Sequence, residues 1–384
     1  DRLRGSMPSR VRKTAAAPRR TRAASPSATR PRALDFFAGS GLATVGLSAA
    51  FDVVWANDVS EKKAAIYRAN HAGHAFELGS VEHVRGAELP QADLSWASFP
   101  CQDLSLAGAQ AGLASGRSGL VWQWLRVLDE MPRKPSVIAL ENVVGLVSAA
   151  GGAHYRALHA ALAKRGYRVG ALLLDAVHWL PQSRPRIFVV GARADADTAD
   201  LEADEPTWCH TAPVRRAAEG CEGFVWWRVP QPRVERASLS ELIDFSEPTD
   251  EPARARHNLA LIAPQHKARL AQLANTRRAV FPGYKRTRNG RQVLELRFDD
   301  VAGCLRTPEG GSSRQLLVIR DGERTSTRLL TVRETARLMG AGDDYVLVGS
   351  YNDGYKAMGD AVAAPAVRHL ARTLLAPLVE RARR

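Results

Sequence analysis

Three features of the sequence predict an α/β fold with a doubly wound, mostly parallel sheet and a smaller inserted domain. Short apolar runs alternate with amphipathic stretches between residues 33 and 194, an order typical of repeated strand and helix units. A glycine-rich turn follows the first apolar run, as in sheets that bind a ligand at their strand ends. The alternation stops near residue 195 and resumes after residue 310, which indicates an insertion.

The elements of the first domain follow from two hydrophobic periodicities. Apolar runs bounded by turn residues predict strands at 33–37, 52–56, 93–98, 136–141, 169–175 and 186–191. Helical periodicity predicts helices at 43–50, 61–71, 119–131 and 154–165. Because parallel strands need crossover connections, this alternation favours helices on both faces of the sheet.

The C-terminal half of the chain is less regular. Residues 195–310 are rich in proline and poor in long periodic runs, so we predict a second, irregular domain, in which 282–291 forms a loop. Residues 311–384 are expected to return to the domain formed by 33–194. In that return we predict a helix at 331–340 and an apolar helix at 361–379 that packs on the sheet.

Positive charge is concentrated at the N-terminus. The chain of 384 residues has a formal net charge of +14, and residues 1–32 carry ten arginine or lysine residues against one aspartate. With few large apolar side chains, this segment is predicted to be a disordered arm. It could tether phosphates, be a solvated tail without a specific role, or act as an organellar transit peptide. Residues 1–6, which precede Met7, resemble an expression-vector remnant.

Composition also disfavours membrane and metal-binding classes. No stretch approaches the roughly 18 apolar residues that cross a bilayer, and no signal peptide is evident, so we expect a cytoplasmic protein without a membrane partner. The four cysteines, at 101, 209, 221 and 304, form neither a disulfide framework nor a complete zinc spacing. Cys209, His210 and Cys221 are a partial ligand set, but we expect no bound metal.

Two predicted strands end at reactive side chains. The apolar run before Pro100 leads directly to Cys101, and the run at 137–140 ends at Glu141. Ligands of open α/β sheets bind at the carboxyl ends of the strands. The sequence therefore predicts a thiol and a carboxyl group along one edge of the sheet.

The turn after the first strand is a candidate cofactor site. Gly39 and Gly41 allow a tight turn and a close approach of backbone to a ligand, with a helix N-terminus behind it. Asp58 ends the second strand about twenty residues later, where a ribose would need an acceptor. From these residues alone, the turn could equally cap any Rossmann-like strand.

Six segments, in a fixed order, resemble the motifs of the bacterial-type DNA (cytosine-5)-methyltransferase family. They are LDFFAGSGL at 34–42, SFPCQ at 98–102, ENV at 141–143, QSRPR at 182–186, RETARLMG at 333–340 and GDAV at 359–362. The resemblance covers roughly residues 33–194 and 325–376. It implies a Rossmann-like S-adenosylmethionine-dependent methyltransferase domain, with the insertion as a target-recognition domain.

The resemblance also implies a function and partners. The enzyme would transfer a methyl group from S-adenosylmethionine to carbon-5 of a flipped-out cytosine in a specific short sequence of double-stranded DNA. It would be a bacterial monomer, cytoplasmic and associated with the nucleoid, and a separately encoded restriction endonuclease is a candidate partner. Two alternatives remain open, an RNA cytosine-5 methyltransferase and a catalytically inactive DNA-binding regulator.

The resemblance assigns cofactor residues to five parts of the chain. They are Phe37, Ala38, Gly39, Ser40, Gly41, Leu42, Asp58, Val59, Ser80, Pro100, Asp360 and Val362. Phe37 is expected near the adenine and Asp58 on the ribose. Leu42 stands where many members have glycine, Ser80 where many have aspartate, and Asp360 where many have asparagine.

Four residues are assigned to catalysis. Methylation at carbon-5 of cytosine requires transient addition at carbon-6, and a thiolate suits that step, so Cys101 is the expected nucleophile; the alternative is a buried small apolar side chain. A protonated Glu141 would neutralise charge on ring nitrogen-3; the alternative is an N-cap. The resemblance places Arg186 against the cytosine carbonyl and Arg184 nearby as support. The sequence alone also allows both arginines to be charged side chains on one exposed face of a strand.

DNA contacts are expected from two segments. The glycine-rich segment 102–119 is typical of a lid that closes over a substrate, and Arg117 within it could meet a phosphate. In the inserted domain, Lys285, Arg286, Arg288 and Arg291 could meet phosphates or guanine edges, or be solvated loop charges. The long insertion disfavours the RNA alternative because it suits groove reading, and intact Cys101, Glu141 and Arg186 disfavour the inactive regulator.

Overall fold

A seven-stranded sheet forms the centre of the structure, a computed structural model that describes residues 30–100, 119–273, 278–306 and 314–384. Its strand order is β3-β2-β1-β4-β5-β7-β6. The strands are β1 (Arg32–Phe36), β2 (Asp52–Asp58), β3 (Ala75–Leu78), β4 (Leu94–Ala97), β5 (Val137–Asn142), β6 (Tyr167–Asp175) and β7 (Pro185–Arg193). All neighbours are parallel except β7, which is antiparallel to both β5 and β6. The mostly parallel sheet is as predicted.

Helices lie between and after the strands. In chain order they are α1 (Leu42–Leu47), α2 (Glu61–Asn70), α3 (Leu120–Glu130), α4 (Gly145–Ser148), α5 (Ala153–Ala163), α6 (Ala212–Ala218), α7 (Leu239–Leu242), α8 (Pro252–Ala260), α9 (Pro264–Gln272), α10 (Val332–Leu338), α11 (Tyr351–Asp360), α12 (Ala364–Leu370) and α13 (Ala376–Ala382). A π-helical segment (Ala371–Leu375) joins the last two, so the predicted apolar helix at 361–379 is one nearly continuous helical segment.

The sheet is buried on both faces. Along β5, Ile138 and Leu140 belong to a hydrophobic cluster that includes side chains of α3 and α5, such as Trp124. The alternate residues Val137 and Ala139 belong to a second cluster, with α12 and α13. Because successive side chains of a strand point to opposite faces, these two clusters show the predicted doubly wound arrangement.

Strand β3 was not predicted. It lies at the edge of the sheet, is four residues long, and three of its four residues are exposed. An edge strand of this kind buries too little apolar surface to produce a hydrophobic run in the sequence. The prediction therefore lacked one strand beside β2.

A second sheet lies between residues 279 and 329. Its four antiparallel strands, in the order β11-β10-β8-β9, are β8 (Ala279–Arg288), β9 (Arg291–Leu296), β10 (Leu316–Asp321) and β11 (Arg324–Leu329). The predicted loop at 282–291 is wrong, because β8 and β9 form a hairpin there. Its two turn residues, Asn289 and Gly290, have φ of 49° and 74°. Asn-Gly is a strong hairpin signal, and the prediction of a loop did not take it into account.

Contacts cross the predicted domain limits. Strand β10, after residue 310, pairs with β8, which precedes it. Near the start of the insertion, Trp227 is fully buried and its indole N–H donates to the carbonyl of Val190 in the first sheet, at 2.9 Å. The division at 194 and 310 stays a prediction. The predicted disordered arm lies almost wholly outside the described residues, which begin at 30.

Within the described ranges, no helix is both long enough and apolar enough to cross a membrane.

Candidate active site

Glu141 and Arg186 form an ion pair at one edge of the central sheet. Glu141 is the penultimate residue of β5, and it pairs with Phe188 on the antiparallel strand β7. Arg186 lies two residues before Phe188, and its Nε atom is 3.0 Å from Glu141 Oε1. Both side chains are largely buried, at 13% exposed for Arg186 and 9% for Glu141. The antiparallel register therefore brings together two residues that the sequence placed in separate motifs.

The Glu141 carboxyl group holds its proton more tightly than an ordinary glutamate. Burial raises the pKa of Glu141, and this outweighs the lowering by Arg186, Arg184 and a hydrogen bond from Ser98. The Ser98 hydroxyl in turn accepts a hydrogen bond from the indole N–H of Trp96, at 3.0 Å. A buried carboxyl with a raised pKa can act as a proton donor near neutral pH.

Asn142 joins the end of β5 to the segment that leads to Cys101. Its Nδ2 atom donates to the carbonyl of Phe99 at 2.9 Å, and its Oδ1 atom accepts from the backbone N–H of Val143 at 2.8 Å. The sequence analysis gave this residue no role. The sequence feature that could have identified it is the amide side chain directly after Glu141, because an amide can supply both a hydrogen-bond donor and an acceptor. Cys101 itself lies outside the described residues, which end at Pro100 in this segment.

The Arg184 side chain joins the start of β7 to two distant segments of the chain. Its Nη1 atom donates to Cys304 Sγ at 3.3 Å and to the carbonyl of Leu305 at 3.1 Å. Its Nη2 atom donates to the carbonyls of Gly359 and Ala361 at 2.8 and 2.5 Å. The side chain is buried, and burial lowers the pKa of Arg184 to about 10. Arg184 therefore fixes the start of β7 against the residues on either side of Asp360.

Cys304 is close to both arginines and was not identified from the sequence. Besides Arg184, the Arg186 guanidinium lies 3.9 Å from its sulfur. The Cys304 carbonyl accepts from the Tyr284 hydroxyl at 2.6 Å, which ties it to β8. A single cysteine with no partner spacing gives no sequence signal. Arg186 contacts both Glu141 and the Cys304 sulfur, so any test of the nucleophile must control for Cys304.

The glycine turn is held by Asp58. The Gly39 N–H donates to Asp58 Oδ2 at 2.9 Å, and the Ser60 N–H donates to Oδ1 at 2.8 Å. Gly41 has φ of 92°, and a β-carbon there would lie 2.5 Å from His71 Nε2, so only glycine fits. Each Asp58 oxygen has two lone pairs and accepts one backbone N–H, so both can also accept ribose hydroxyls. These acceptors fit the ribose of S-adenosylmethionine.

The other predicted cofactor residues differ in exposure. Ala38, Ser40, Leu42 and Val362 are buried, and Val59 is 71% exposed. Phe37 has φ of 58°, which places it in the left-handed region between β1 and Gly39. Ser80 caps a 3-10 turn, accepting from the Glu82 N–H at 3.3 Å and donating to its carboxyl at 3.0 Å. Asp360 is ion-paired with Lys63 at 2.6 Å.

Four of the five predicted DNA-contacting residues lie on the β8–β9 hairpin. Arg286 lies over the Tyr284 ring, 5.1 Å from its centroid. Arg288 makes a two-pronged pair with Glu295, at 2.7 and 3.0 Å. Arg291 is exposed at the turn. Partial burial and the nearby Arg254 lower the pKa of Lys285. Arg117 lies outside the described residues.

No cluster of metal-ligating side chains is present in the described part of the chain. Nowhere in it do three or more His, Cys, Asp or Glu residues come together as a metal site would require. The His210 ring is buried and burial lowers its pKa to about 4, and its Nδ1 atom accepts from the Thr207 N–H at 2.9 Å. The backbone thus engages Nδ1, whereas the buried Nε2 atom of His210 has no hydrogen-bond partner among the described residues.

Comparisons with known proteins agree with these features. Residues 32–376 match the family model described as C-5 cytosine-specific DNA methylase. The type II methyltransferase M.NgoFVII of Neisseria gonorrhoeae is 27% identical over 91% of this chain and 87% of its own length. The type II methyltransferase M.NlaX of Neisseria lactamica is 26% identical over 90% and 96%. Among solved structures, the S. pombe Dnmt2 methyltransferase superposes with a TM-score of 0.59 at 19% identity, over 91% of this chain and 99% of that one.

Proposed function

This chain belongs to the C-5 cytosine-specific DNA methylase family, and we propose that it methylates a specific short duplex sequence through a covalent bond to Cys101. As a member of this family it is a DNA cytosine-5 methyltransferase, and its methyl donor is S-adenosylmethionine. The resemblance found in the sequence is thereby confirmed. The covalent step, the flipped base and the choice of sequence are the proposal.

The Glu141–Arg186 pair is the observation that carries the proposal. It lies where β5 ends, and Asn142 ties that end to Phe99, two residues before Cys101 in the sequence. A protonated Glu141 can donate to cytosine ring nitrogen-3, and a guanidinium beside it can donate to the carbonyl oxygen. Both interactions strengthen as charge moves onto the ring. The pair therefore suits an attack on carbon-6 by a nearby thiolate.

The proposed reaction has three steps, namely addition, methyl transfer and elimination. The Cys101 thiol loses its proton, and the sulfur forms a bond to carbon-6 while Glu141 protonates nitrogen-3. Carbon-5, now electron-rich, takes the methyl group whose bonding pair stays on the donor sulfur. Carbon-5 then loses its proton to water, the ring returns the nitrogen-3 proton to Glu141, and the carbon–sulfur bond breaks with its electron pair going to the Cys101 sulfur. The products are 5-methylcytosine and S-adenosylhomocysteine, and the thiolate is regenerated.

The attack also requires that the base leaves the duplex. A thiolate approaches carbon-6 perpendicular to the ring, and stacked neighbours block that direction, so we infer that the cytosine is flipped out. The β8–β9 hairpin, with Arg286 on the same segment as Tyr284, is the proposed reader of the sequence. A monomeric state, a nucleoid location and a separately encoded endonuclease remain predictions.

A mechanism-based trap tests this proposal. A duplex with 5-fluorocytosine at the target should form a stable protein adduct, because fluorine does not leave carbon-5 as a proton does. We expect the adduct on denaturing gels for the wild type and for Cys304→Ser, which removes the other thiol near Glu141. Cys101→Ser should form none, although it should still bind S-adenosylhomocysteine.

Two results would contradict the proposal. An adduct of equal yield with Cys101→Ser would mean that another residue is the nucleophile. Methylation of a structured RNA in preference to any DNA duplex would favour the RNA alternative. Bisulfite sequencing of DNA from cells that express the protein would report the target sequence independently.

A further inference from the structure

Cys304 and Leu305 connect the second sheet to the central sheet. The Leu305 N–H donates to Gln182 Oε1 at 3.1 Å, which ties this short segment to the loop before β7. From the other side, the hydroxyl of Tyr284, on β8, donates to the Cys304 carbonyl at 2.6 Å. The segment therefore contacts both the proposed reader of DNA and the proposed active site.

A continuous series of contacts runs from the hairpin to the general acid. The Arg286 guanidinium lies 5.1 Å from the centroid of the Tyr284 ring, and the hydroxyl of that ring binds the Cys304 carbonyl. The Cys304 sulfur lies 3.9 and 4.0 Å from Nη2 and Nη1 of Arg186. Arg186 Nε is 3.0 Å from Glu141 Oε1. These five residues, in this order, form what we call the contact relay.

Tyr284 is held firmly in the middle of the contact relay. Its side chain is buried, and burial raises the pKa of Tyr284, so the hydroxyl keeps its proton and remains a donor. A β-carbon built on Gly303 would lie 2.7 Å from Tyr284 Cε2, so the ring packs directly against the backbone before Cys304. The position of the ring and the position of that backbone are therefore linked.

We propose that Tyr284 is a positioning residue that makes the rate of methyl transfer depend on the base that Arg286 contacts. This inference rests on the proposed roles of the hairpin and of the Glu141–Arg186 pair. A guanine edge offers two acceptors to an arginine and so holds its guanidinium in one place. The fixed guanidinium would steady the Tyr284 ring, whose hydroxyl holds the Cys304 segment beside Arg186.

The contact relay would add a second stage to the choice of sequence. Contacts to the bases discriminate between duplexes through affinity. A wrong base leaves Arg286 without its two acceptors, so Glu141 would lose part of its orientation even in a duplex that is bound. Since an enzyme discriminates by the product of binding and chemistry, the two stages multiply.

Removing one hydroxyl group tests this inference. Single-turnover methylation is measured at saturating DNA with two duplexes, one with the sequence that bisulfite sequencing identifies and one with a single base pair changed beside the target cytosine. In Tyr284→Phe the rate with the first duplex should fall about tenfold, as for the loss of one hydrogen bond. The rate with the altered duplex, and the ratio of the two affinities, should not change.

Tyr167 supplies a matched control for this variant. It is also a buried tyrosine whose hydroxyl donates to a backbone carbonyl, that of Pro135 at 2.7 Å, beyond the end of β5 opposite Glu141. Tyr167→Phe makes the same chemical change and should leave both rates unaltered. Gly303→Ala keeps the Tyr284 hydroxyl but displaces the ring, so it should reproduce the selective loss even if Tyr284→Phe does not fold.

A double-mutant cycle tests whether Arg286 and Tyr284 act together. If both act through the contact relay, Arg286→Ala combined with Tyr284→Phe should methylate the first duplex no more slowly than the slower single variant. Multiplied losses would mean that the two residues act independently and would overturn the inference. Equal slowing of both duplexes in Tyr284→Phe would also overturn it, because a purely structural defect does not distinguish the bases.

The proposed function and this inference fail in different ways. If Glu141→Gln slows methylation but Tyr284→Phe and Gly303→Ala behave as the wild type, only the contact relay is wrong. If Glu141→Gln methylates at the wild-type rate, the proposed general acid is wrong, and the contact relay has no catalytic group to position.

Discussion

Arg186 Nε lies 3.0 Å from Glu141 Oε1, and this contact joins two residues that are diagonal neighbours on antiparallel strands. The ion pair would ordinarily keep the carboxyl ionised. Burial acts in the opposite direction and is the larger effect, so the pKa of Glu141 is raised. The carboxyl thus combines a fixed orientation, set by Arg186, with a raised pKa, and both favour a general acid.

Replacing Glu141 with glutamine should slow the chemical step. The amide keeps the shape but cannot transfer a proton to nitrogen-3, so we expect single-turnover methylation to fall by about 10²-fold or more. The affinity for the DNA duplex should change much less. Glu334→Gln is a matched control, because Glu334 is also buried and paired with an arginine, Arg328, at 2.6 Å.

An unchanged rate in Glu141→Gln would remove the acid from the mechanism and leave Glu141 as a structural partner of Arg186. Equal losses in the Glu334 variant would point to stability instead of chemistry. Thermal unfolding of both variants, measured beside the kinetics, separates these explanations.

Ser98 should tune the pH dependence of this step. The Trp96 indole donates to the Ser98 hydroxyl, which leaves the hydroxyl proton for Glu141, and that bond lowers the pKa of Glu141. Ser98→Ala removes the bond, so the pKa should rise further. Since the protonated form is the proposed active one, the alkaline limb of the single-turnover rate should move to higher pH.

The same strand offers a control for Ser98. Ser95 also accepts from a tryptophan indole, that of Trp124, at 3.0 Å, but it is not among the groups that shift Glu141. Ser95→Ala should leave the pH profile in place. An identical profile in Ser98→Ala and the wild type would show that Ser98 does not reach the catalytic proton.

Asn142 should matter for rate more than for cofactor binding. Asn142→Ala breaks both hydrogen bonds of the side chain and leaves the Phe99 carbonyl without its donor, which costs about 1–3 kcal/mol of stability. We also expect slower adduct formation with the 5-fluorocytosine duplex, because the segment before Cys101 loses its tie to β5. Binding of S-adenosylhomocysteine should persist.

A second buried asparagine separates these effects. Asn258 donates to Asp250 and Thr327 at 3.0 and 3.1 Å, away from Glu141. Asn258→Ala should lose similar stability but trap the duplex at the wild-type rate once DNA is saturating. Equal trapping rates for the two variants would reduce Asn142 to a stabilising residue.

The elements of the first sheet could be predicted because most of its strands are buried on both faces. Such strands appear as continuous apolar runs, and Glu141 was conspicuous as the polar residue that ends one of them. Strand β3 lies at the exposed edge and has no such run. The β8–β9 hairpin was missed because its strands carry charges and a proline, and only Asn289-Gly290 marked the turn.

Contacts between distant segments could not be predicted. The pairing of Lys63 with Asp360, and of Arg184 with the residues around it, depends on how α2, α11 and β7 pack together. No periodicity in the sequence records that packing. The resemblance identified Asp360 as an unusual residue, but the counter-charge on α2 became evident only in three dimensions.

Arg286 should contribute more to sequence preference than Arg288. The Nε and Nη2 atoms of Arg288 both donate to the Glu295 carboxylate, whereas the Arg286 guanidinium is stacked on the Tyr284 ring. A guanine-edge contact is worth about 1–3 kcal/mol against the wrong base, so Arg286→Ala should relax preference at one position. Affinities for cognate and scrambled duplexes at two salt concentrations measure this.

Arg278 provides the comparison for Arg286. It lies just before β8, at the opposite end of the strand, over the Phe245 ring at 4.8 Å, and pairs with Asp321. Arg278→Ala should not alter the preference. If Arg286→Ala lowers cognate and scrambled affinities equally, the residue contacts a phosphate and another segment reads the bases.

Asp35 should make the stability of the fold depend on pH. It is fully buried on β1, and burial raises its pKa to about 7; the Thr44 hydroxyl, 2.7 Å away, opposes this and Asp58 adds to it. An aspartate in the unfolded chain titrates near pH 3.9, so the folded state binds the proton more tightly. The stabilisation is fully present below that pH and is lost as the pH rises through about 7, by at most about 1.4 kcal/mol per pH unit.

Asp35→Asn cannot titrate, so its free energy of unfolding in urea should fall less than that of the wild type between pH 5 and pH 7. Thr44→Val should raise the pKa of Asp35 further and extend the decline to higher pH. Parallel pH profiles for all three proteins would mean that Asp35 is ionised in the folded state.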